Sequence, residues 1–217
     1  PMERGKLITF EGPEGAGKST QAALLIAKLE ARGIEVIYTR EPGGTKLGEA
    51  IRGILQYNAA NEDPCPESEV LLFEASRAQL VRHVIAPALA RGAWVLCDRF
   101  ADSTTAYQGF GRGFPVDLME TINRFAIGDA VPDMTILLDV NVSLGMQRCA
   151  KRQVGQKIKY DRIESEALAF HEKVRQGYLE LARRYPERFR KVDAMRLPEP
   201  IAEDIWKLVH DAFLAQK

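Results

Sequence analysis

Short apolar runs alternate along this chain with longer stretches in which apolar positions recur every three or four residues. The runs are Leu7–Phe10, Glu35–Thr39, Trp94–Asp98, Met134–Val140 and Phe189–Val192. Each has strand length and carries β-branched or aromatic residues, so five β-strands are predicted. The periodic stretches predict helices near Lys18–Arg32, Leu47–Gln56, Glu67–Arg91, Val116–Ile127, Ser143–Lys151, Ser165–Tyr185 and Pro200–Gln216. Gly33 and Gly92 each follow a basic last turn, as residues that close helices do. Strand and helix in alternation predict an α/β fold: three layers, with a five-stranded parallel sheet flanked by helices on both faces. "NAANEDPCP" (Asn58–Pro66) reads as a surface loop, and "RQVGQKIKYDR" (Arg152–Arg162) as a polar, basic segment between two helices. The chain of 217 residues fits a single domain, 1–217, with a small lid at about 148–162.

Charge and cysteine usage narrow the function classes. Thirty basic residues balance thirty acidic ones. No global positive field draws the chain to nucleic acid or to a membrane, so an anionic ligand must be held by local charge. No apolar run approaches membrane-spanning length, and the first residues lack the apolar stretch of a signal peptide. The three cysteines, Cys65, Cys97 and Cys149, are scattered and odd in number, which suits a reducing cytoplasm. Neither they nor the three histidines have metal-ligand spacing.

The first chemistry-bearing motif is "EGPEGAGKST", Glu11–Thr20, set between the first strand and the first helix. Gly12, Pro13, Glu14, Gly15, Ala16, Gly17, Lys18 and Ser19 fit the phosphate-binding loop, with Thr20 next in the helix. Glycines let successive N–H groups curl around an anion, and the helix N-terminus adds its unpaired donors. Lys18 supplies a charge for the β- and γ-phosphates, and the Ser19 hydroxyl a ligand for Mg²⁺. The chain has no Asn-Lys-x-Asp stretch for a guanine base, which argues against a switch GTPase. Further stretches then suggest a second anion site: "REPGGT" (Arg40–Thr45), "LLFEASR" (Leu71–Arg77), "VLCDRF" (Val95–Phe100) and "TTAYQGFGRG" (Thr104–Gly113). In a parallel sheet the carboxyl ends of strands share one crevice, so Arg40, Asp98 and Arg99 converge near Lys18.

Together with "PDMTILLDV" and "DRIE", these motifs resemble, essentially end to end, the bacterial thymidylate kinases among the P-loop nucleoside monophosphate kinases. The resemblance implies ATP and dTMP as substrates, a Mg²⁺ cofactor, a role in dTTP synthesis, a cytoplasmic enzyme and a homodimer. It implies that Phe73 stacks on thymine and Arg77 reaches its O4, that Thr104 and Gln108 bond the base edge, and that Tyr107 packs under the sugar. It further implies that Arg52 and Arg99 hold the dTMP phosphate, with Glu41 beside it; Asp98 ends the third strand, where an acidic residue can hold Mg²⁺ through water. The phosphate loop has no basic residue before Lys18, which resembles the subtype whose lid provides the transition-state arginine; Arg148 and Arg152 are the candidates. A kinase of another nucleoside monophosphate or nucleoside, and a non-catalytic P-loop NTPase, are the competing readings.

Overall fold

The computed structural model describes residues 3–153 and 161–215. Five parallel strands form one sheet: β1 (Leu7–Glu11), β2 (Val36–Arg40), β3 (Trp94–Asp98), β4 (Met134–Asp139) and β5 (Phe189–Asp193), in the spatial order β2-β3-β1-β4-β5. The order follows from the side chains. β1, β3 and β4 are nearly continuous apolar runs buried on both faces, as central parallel strands are. β2 (VIYTR) and β5 (FRKVD) carry polar residues that only sheet edges can expose.

Helices cover both faces. On one side α1 (Lys18–Glu30) and α9 (Pro198–Phe213) pack through Leu25, Leu29, Ile201 and Ile205 onto Ile8, Phe10, Leu96 and Ile136. On the other, α3 (Pro66–Leu80) and the turns after it, including α4 (Ala86–Ala90), bring Leu80, Val81, Ile85 and Leu89 against Leu7, Val95 and Cys97. Side chains alternate along a strand, so this second face also receives Thr9 and Glu11. Both are fully buried, and Thr9 Oγ1 lies 3.0 Å from Thr135 Oγ1. The remaining helices are α2 (Lys46–Tyr57), α5 (Ala101–Thr104), α6 (Val116–Ile127), α7 (Val142–Gln153) and α8 (Leu168–Arg184).

The predicted helix Glu67–Arg91 is interrupted by a wider π-type turn at Val81–Ile85. Pro87 follows it and has no N–H to give to the turn behind. The stretch after β3 also differs from the sequence reading, which assigned it no element. Residues Ala101–Thr104 form α5, and Thr105–Gly111 continue it as a π-helical segment. Its residues are enclosed on most sides, so no amphipathic period marks it, and two glycines lower its intrinsic helix preference. Against it packs α8, with Tyr107, Phe170, Val174 and Tyr178 forming a third apolar cluster with Leu137.

Candidate functional site

The carboxyl ends of β1, β2, β3 and β5 open into one cavity of about 940 Å³. At one end lies the phosphate loop. Gly15 has φ +69°, and a Cβ there would run into the carbonyl oxygen of Gly145 on α7. Gly17 caps α1 at φ +88° with no side-chain cap, and no acidic residue stands in the first turn. The first N–H groups of α1 are therefore left for an anion. Lys18 is buried, and its Nζ donates to the carbonyls of Gly12 and Pro13, 3.0 Å each. Burial, with Arg99 nearby, pulls its pKa below the usual lysine value. Ser19, Thr20 and Asp98 line the same cavity. The Ser19 hydroxyl and the Asp98 carboxylate are hard oxygen donors of the kind that suits Mg²⁺ carried by a triphosphate.

At the centre stands Arg99. It is a non-glycine residue at φ +68°, a left-handed conformation held by its surroundings. The next residue, Phe100, donates its N–H to Glu11 Oε1 at 2.7 Å. The Arg99 guanidinium donates to Glu14 Oε1 (2.5 Å), Tyr178 OH (3.2 Å) and the Gly12 carbonyl (3.3 Å), and lies 4.9 Å over the Tyr107 ring. Tyr107 OH also donates to Glu14, at 2.6 Å.

Two carboxylates three residues apart thus meet opposite fates. Burial would raise both. Glu14, facing Arg99 and Lys18, is nonetheless brought down to about 2. Glu11, with Asp102 close by, is pushed up to about 7, although the hydroxyls of Ser103 (2.6 Å) and Tyr178 (2.8 Å) both donate to it.

At the other end, Glu41, Arg52, Phe73, Thr104, Tyr107 and Gln108 line the wall. Arg52 Nη1 donates to the Pro42 carbonyl at 3.0 Å. Glu41 is buried; burial raises it to about 7 against the pull of Arg77. Its Oε1 has no hydrogen-bond partner among the described residues.

Arg77 is the one expected base contact that the structure does not bring to the cavity. It sits one helical turn beyond Phe73, on the same side of α3 but deeper, with 1% of its surface exposed. Its N–H groups are committed within the protein. Nε donates to Glu41 Oε2 (2.8 Å), and Nη1 to Glu74, Thr104 Oγ1 (3.0 Å) and Asn123 Oδ1 (3.1 Å). Nη2 pairs with Glu41 and donates to the Phe100 carbonyl. In this arrangement it meets the site through Glu41 and Thr104.

The two arginines expected at the lid both line the cavity. Arg148, on α7, donates to the carbonyls of Ala194 (2.8 Å) and Gly15 (3.4 Å), and Arg152 pairs with Glu164 at 3.4 Å. Residues 154–160 of the expected lid lie outside the described residues. Just after them, Arg162 is tied to the Leu55 carbonyl (3.1 Å) and to Glu69.

Several cavity or network residues were missed by sequence reasoning: Glu11, Ser103, Tyr178, Glu69 and Glu74. Only Glu11 left a signal, a carboxylate closing an apolar strand run, where a buried role is the alternative to none.

A parallel sheet whose first strand runs through a phosphate loop into a helix, with a second charged wall across the crevice, defines a P-loop nucleotide kinase. The family model described as Thymidylate kinase matches residues 10–205. A thymidylate kinase of Deinococcus radiodurans is 49% identical over 210 residues, 97% of this chain and 98% of its own length. One of Thermomicrobium roseum is 51% identical over 202 residues, 93% of each chain. The crystal structure of thymidylate kinase from Ehrlichia chaffeensis superposes with a TM-score of 0.75 at 32% identity, covering 96% of this chain and 99% of that one. The chain belongs to the thymidylate kinase family, and its activity is that of a dTMP kinase.

Proposed function

We propose that ATP binds with its phosphates in the loop Gly12–Thr20 and dTMP with its base against Phe73, so that the acceptor phosphate meets the γ-phosphate beside Arg99. The observation that carries this is the single cavity whose wall holds the phosphate loop, Asp98 and Arg99, Phe73, Thr104 and Gln108 together. A dTMP phosphate oxygen forms a bond to the γ-phosphorus. The bond from that phosphorus to the bridging oxygen of ADP breaks, and its electron pair leaves with ADP.

Charge decides what this step needs. With a second pKa near 6, the acceptor phosphate is largely dianionic at neutral pH. It needs no general base, and a near-neutral Glu41 is not required as one. Two polyanions must instead be brought in line and screened. Lys18 and the α1 N-terminus serve the donor phosphates, and Arg52 and Arg99 the acceptor phosphate. Arg99 is already directed by Glu14, Tyr178 and the Gly12 carbonyl, so little reorganisation remains. Arg148 and Arg152 reach the cavity from α7 and are the candidates for the charge that develops on the transferred group. Mg²⁺, held by Ser19 and by Asp98 through water, would neutralise the β- and γ-phosphates. In this reading Tyr107, on the same cavity wall, packs under the sugar.

The same reading makes the chain one domain with a lid about residues 148–162, working in the cytoplasm on the way to dTTP. It also makes the chain a homodimer. Leu71 on α3 and Leu118 and Phe125 on α6, two helices that pack on each other, are exposed apolar residues that support this assembly. Sedimentation would show a dimer or a monomer.

The functional test is ADP release from ATP with each of dTMP, dUMP, dGMP, CMP and AMP. The expected result is that dTMP is the best acceptor. Faster turnover with another acceptor, or ADP release indifferent to any acceptor, would overturn the reading.

A further inference from the structure

The wall that faces the base is polar in a defined direction, and that direction is set from behind. Gln108 lines the cavity, and its Nε2 donates to Glu69 Oε1 at 2.9 Å. Glu69 itself is 1% exposed and absent from the cavity wall. It is fixed by Arg112, whose Nε and Nη2 donate to it at 3.2 and 3.3 Å, and by Arg162. Burial would raise its pKa, yet hydrogen bonds from Arg112, Arg162 and Gln108 hold it below the usual carboxylate value. An ionised carboxylate can only accept. The half of the Gln108 amide that meets Glu69 must therefore be its NH₂, and the carbonyl Oε1 must point away. No donor among the described residues bonds that oxygen.

Thr104, four residues earlier and also on the wall, is set in the opposite sense. Its Oγ1 accepts from Arg77 Nη1, a group that can only donate. The Thr104 hydroxyl hydrogen remains to be given to a ligand. The wall therefore offers one acceptor, Gln108 Oε1, and one donor, the Thr104 hydroxyl. A keto–imide pyrimidine edge, N3–H beside a carbonyl oxygen, matches this pair. Cytosine shows a bare N3 and an amino group instead, and would set lone pair against lone pair and donor against donor.

We propose that Glu69 is a specificity-determining positioning residue: by fixing the Gln108 amide it makes the acceptor site read N3–H and reject cytosine. This rests on the reading that the Phe73 end binds the dTMP base. Glu69 touches neither substrate nor the transferred phosphoryl group. Its effect must therefore appear in the choice of base, not in ATP use.

The experiment compares kcat/KM for dTMP and for 5-methyl-dCMP, which keeps the methyl group and changes only the N3 and C4 positions. It is run in the wild type, in Glu69→Gln, in Gln108→Met and in the double variant. A glutamine at position 69 can donate as well as accept and no longer dictates the orientation of Gln108. Glu69→Gln should lower the preference for dTMP at least ~10-fold, since polar matching of this kind sustains far larger selectivity. The loss should fall on the dTMP KM and leave the ATP KM unchanged. In the Gln108→Met background, Glu69→Gln should add no further loss of preference. Equal loss with both nucleotides, or an unchanged preference, would overturn the inference and leave the dTMP reading intact. A wild type that does not prefer dTMP would overturn both. Should Glu69→Gln not fold, solvent exchange of the Gln108 side-chain amide in the ligand-free wild type decides, its NMR signals being assigned by their loss in Gln108→Met. Protection from exchange is expected, and exchange as fast as that of a solvated amide would overturn the inference.

Discussion

The two ends of the cavity, which we read as the donor and acceptor sites, are built in different ways. The donor end is local: nine consecutive residues, Gly12–Thr20, make an anion cradle from backbone N–H groups, a helix start and one lysine. The acceptor end is collected from β2, α2, α3 and the helical segment after β3, and its wall is held by buried ion pairs. Backbone can present a phosphate site with almost no side-chain chemistry. A base needs donors and acceptors at set places, and these must be oriented by other side chains. The difference predicts that damage at the donor end costs rate with every acceptor, whereas damage behind the acceptor end costs stability and selectivity.

The largest expected effect comes from behind the acceptor wall. Arg77→Met leaves Glu41 and Glu74 buried without their cation, and breaking such a pair from one side typically costs about 3–5 kcal/mol. Thermal unfolding should show the loss directly. If the melting temperature does not move, Arg77 is not the internal counter-charge described above. At the donor end, Lys18→Ala should leave the fold intact and lower turnover roughly 10²–10³-fold, the scale of losing one preorganised partner of developing charge. Steady-state rates at saturating substrates check this, and near wild-type turnover would remove Lys18 from the mechanism.

The lid-side arginines should give a smaller loss. Arg148→Ala or Arg152→Ala is expected to lower turnover about 10²-fold with little change in the ATP KM, since the contact is completed in the transition state. Normal turnover in both variants and in the double variant would place the catalytic arginine elsewhere.

The smallest effects concern the two carboxylates at the junction of the ends. Glu11 has its folded pKa raised to about 7. Its contribution to stability is full below the unfolded value near 4.5 and is lost as pH rises through 7. Glu14 is lowered to about 2, so its contribution is full above 4.5 and is lost as pH falls through 2. Relative to wild type, Glu11→Gln should therefore gain melting temperature between pH 4.5 and 7. Glu14→Gln should be most destabilised above 4.5 and approach wild type toward pH 2. Parallel profiles for the two variants would contradict the opposite environments assigned to them.

This division also explains what could be read in advance. The strands, their parallel sheet and the phosphate loop are encoded locally, by apolar runs and by glycines at fixed offsets, and all were legible. At the acceptor end, Phe73, Thr104 and Gln108 were named through family motifs and do share the cavity wall. The burial of Arg77 was not legible: spacing places Phe73 and Arg77 on one helix face but says nothing of depth. The helical segment after β3 escaped because a helix enclosed on most sides leaves no amphipathic period. Glu69, Glu74 and Tyr178 escaped for a related reason. Each looks like an ordinary polar helix residue until the fold brings Arg112 and Arg162, Arg77, or Arg99 and Glu11 against it.

The independence of the two ends is tested most directly by one ratio, kcat/KM for dTMP over 5-methyl-dCMP, measured in Lys18→Ala and in Thr104→Val. Lys18→Ala should lower both values by the same factor and leave the ratio as in wild type. Thr104→Val removes the donor presented to the base and should lower the ratio. A ratio that shifts in Lys18→Ala, or that holds in Thr104→Val, would contradict the account.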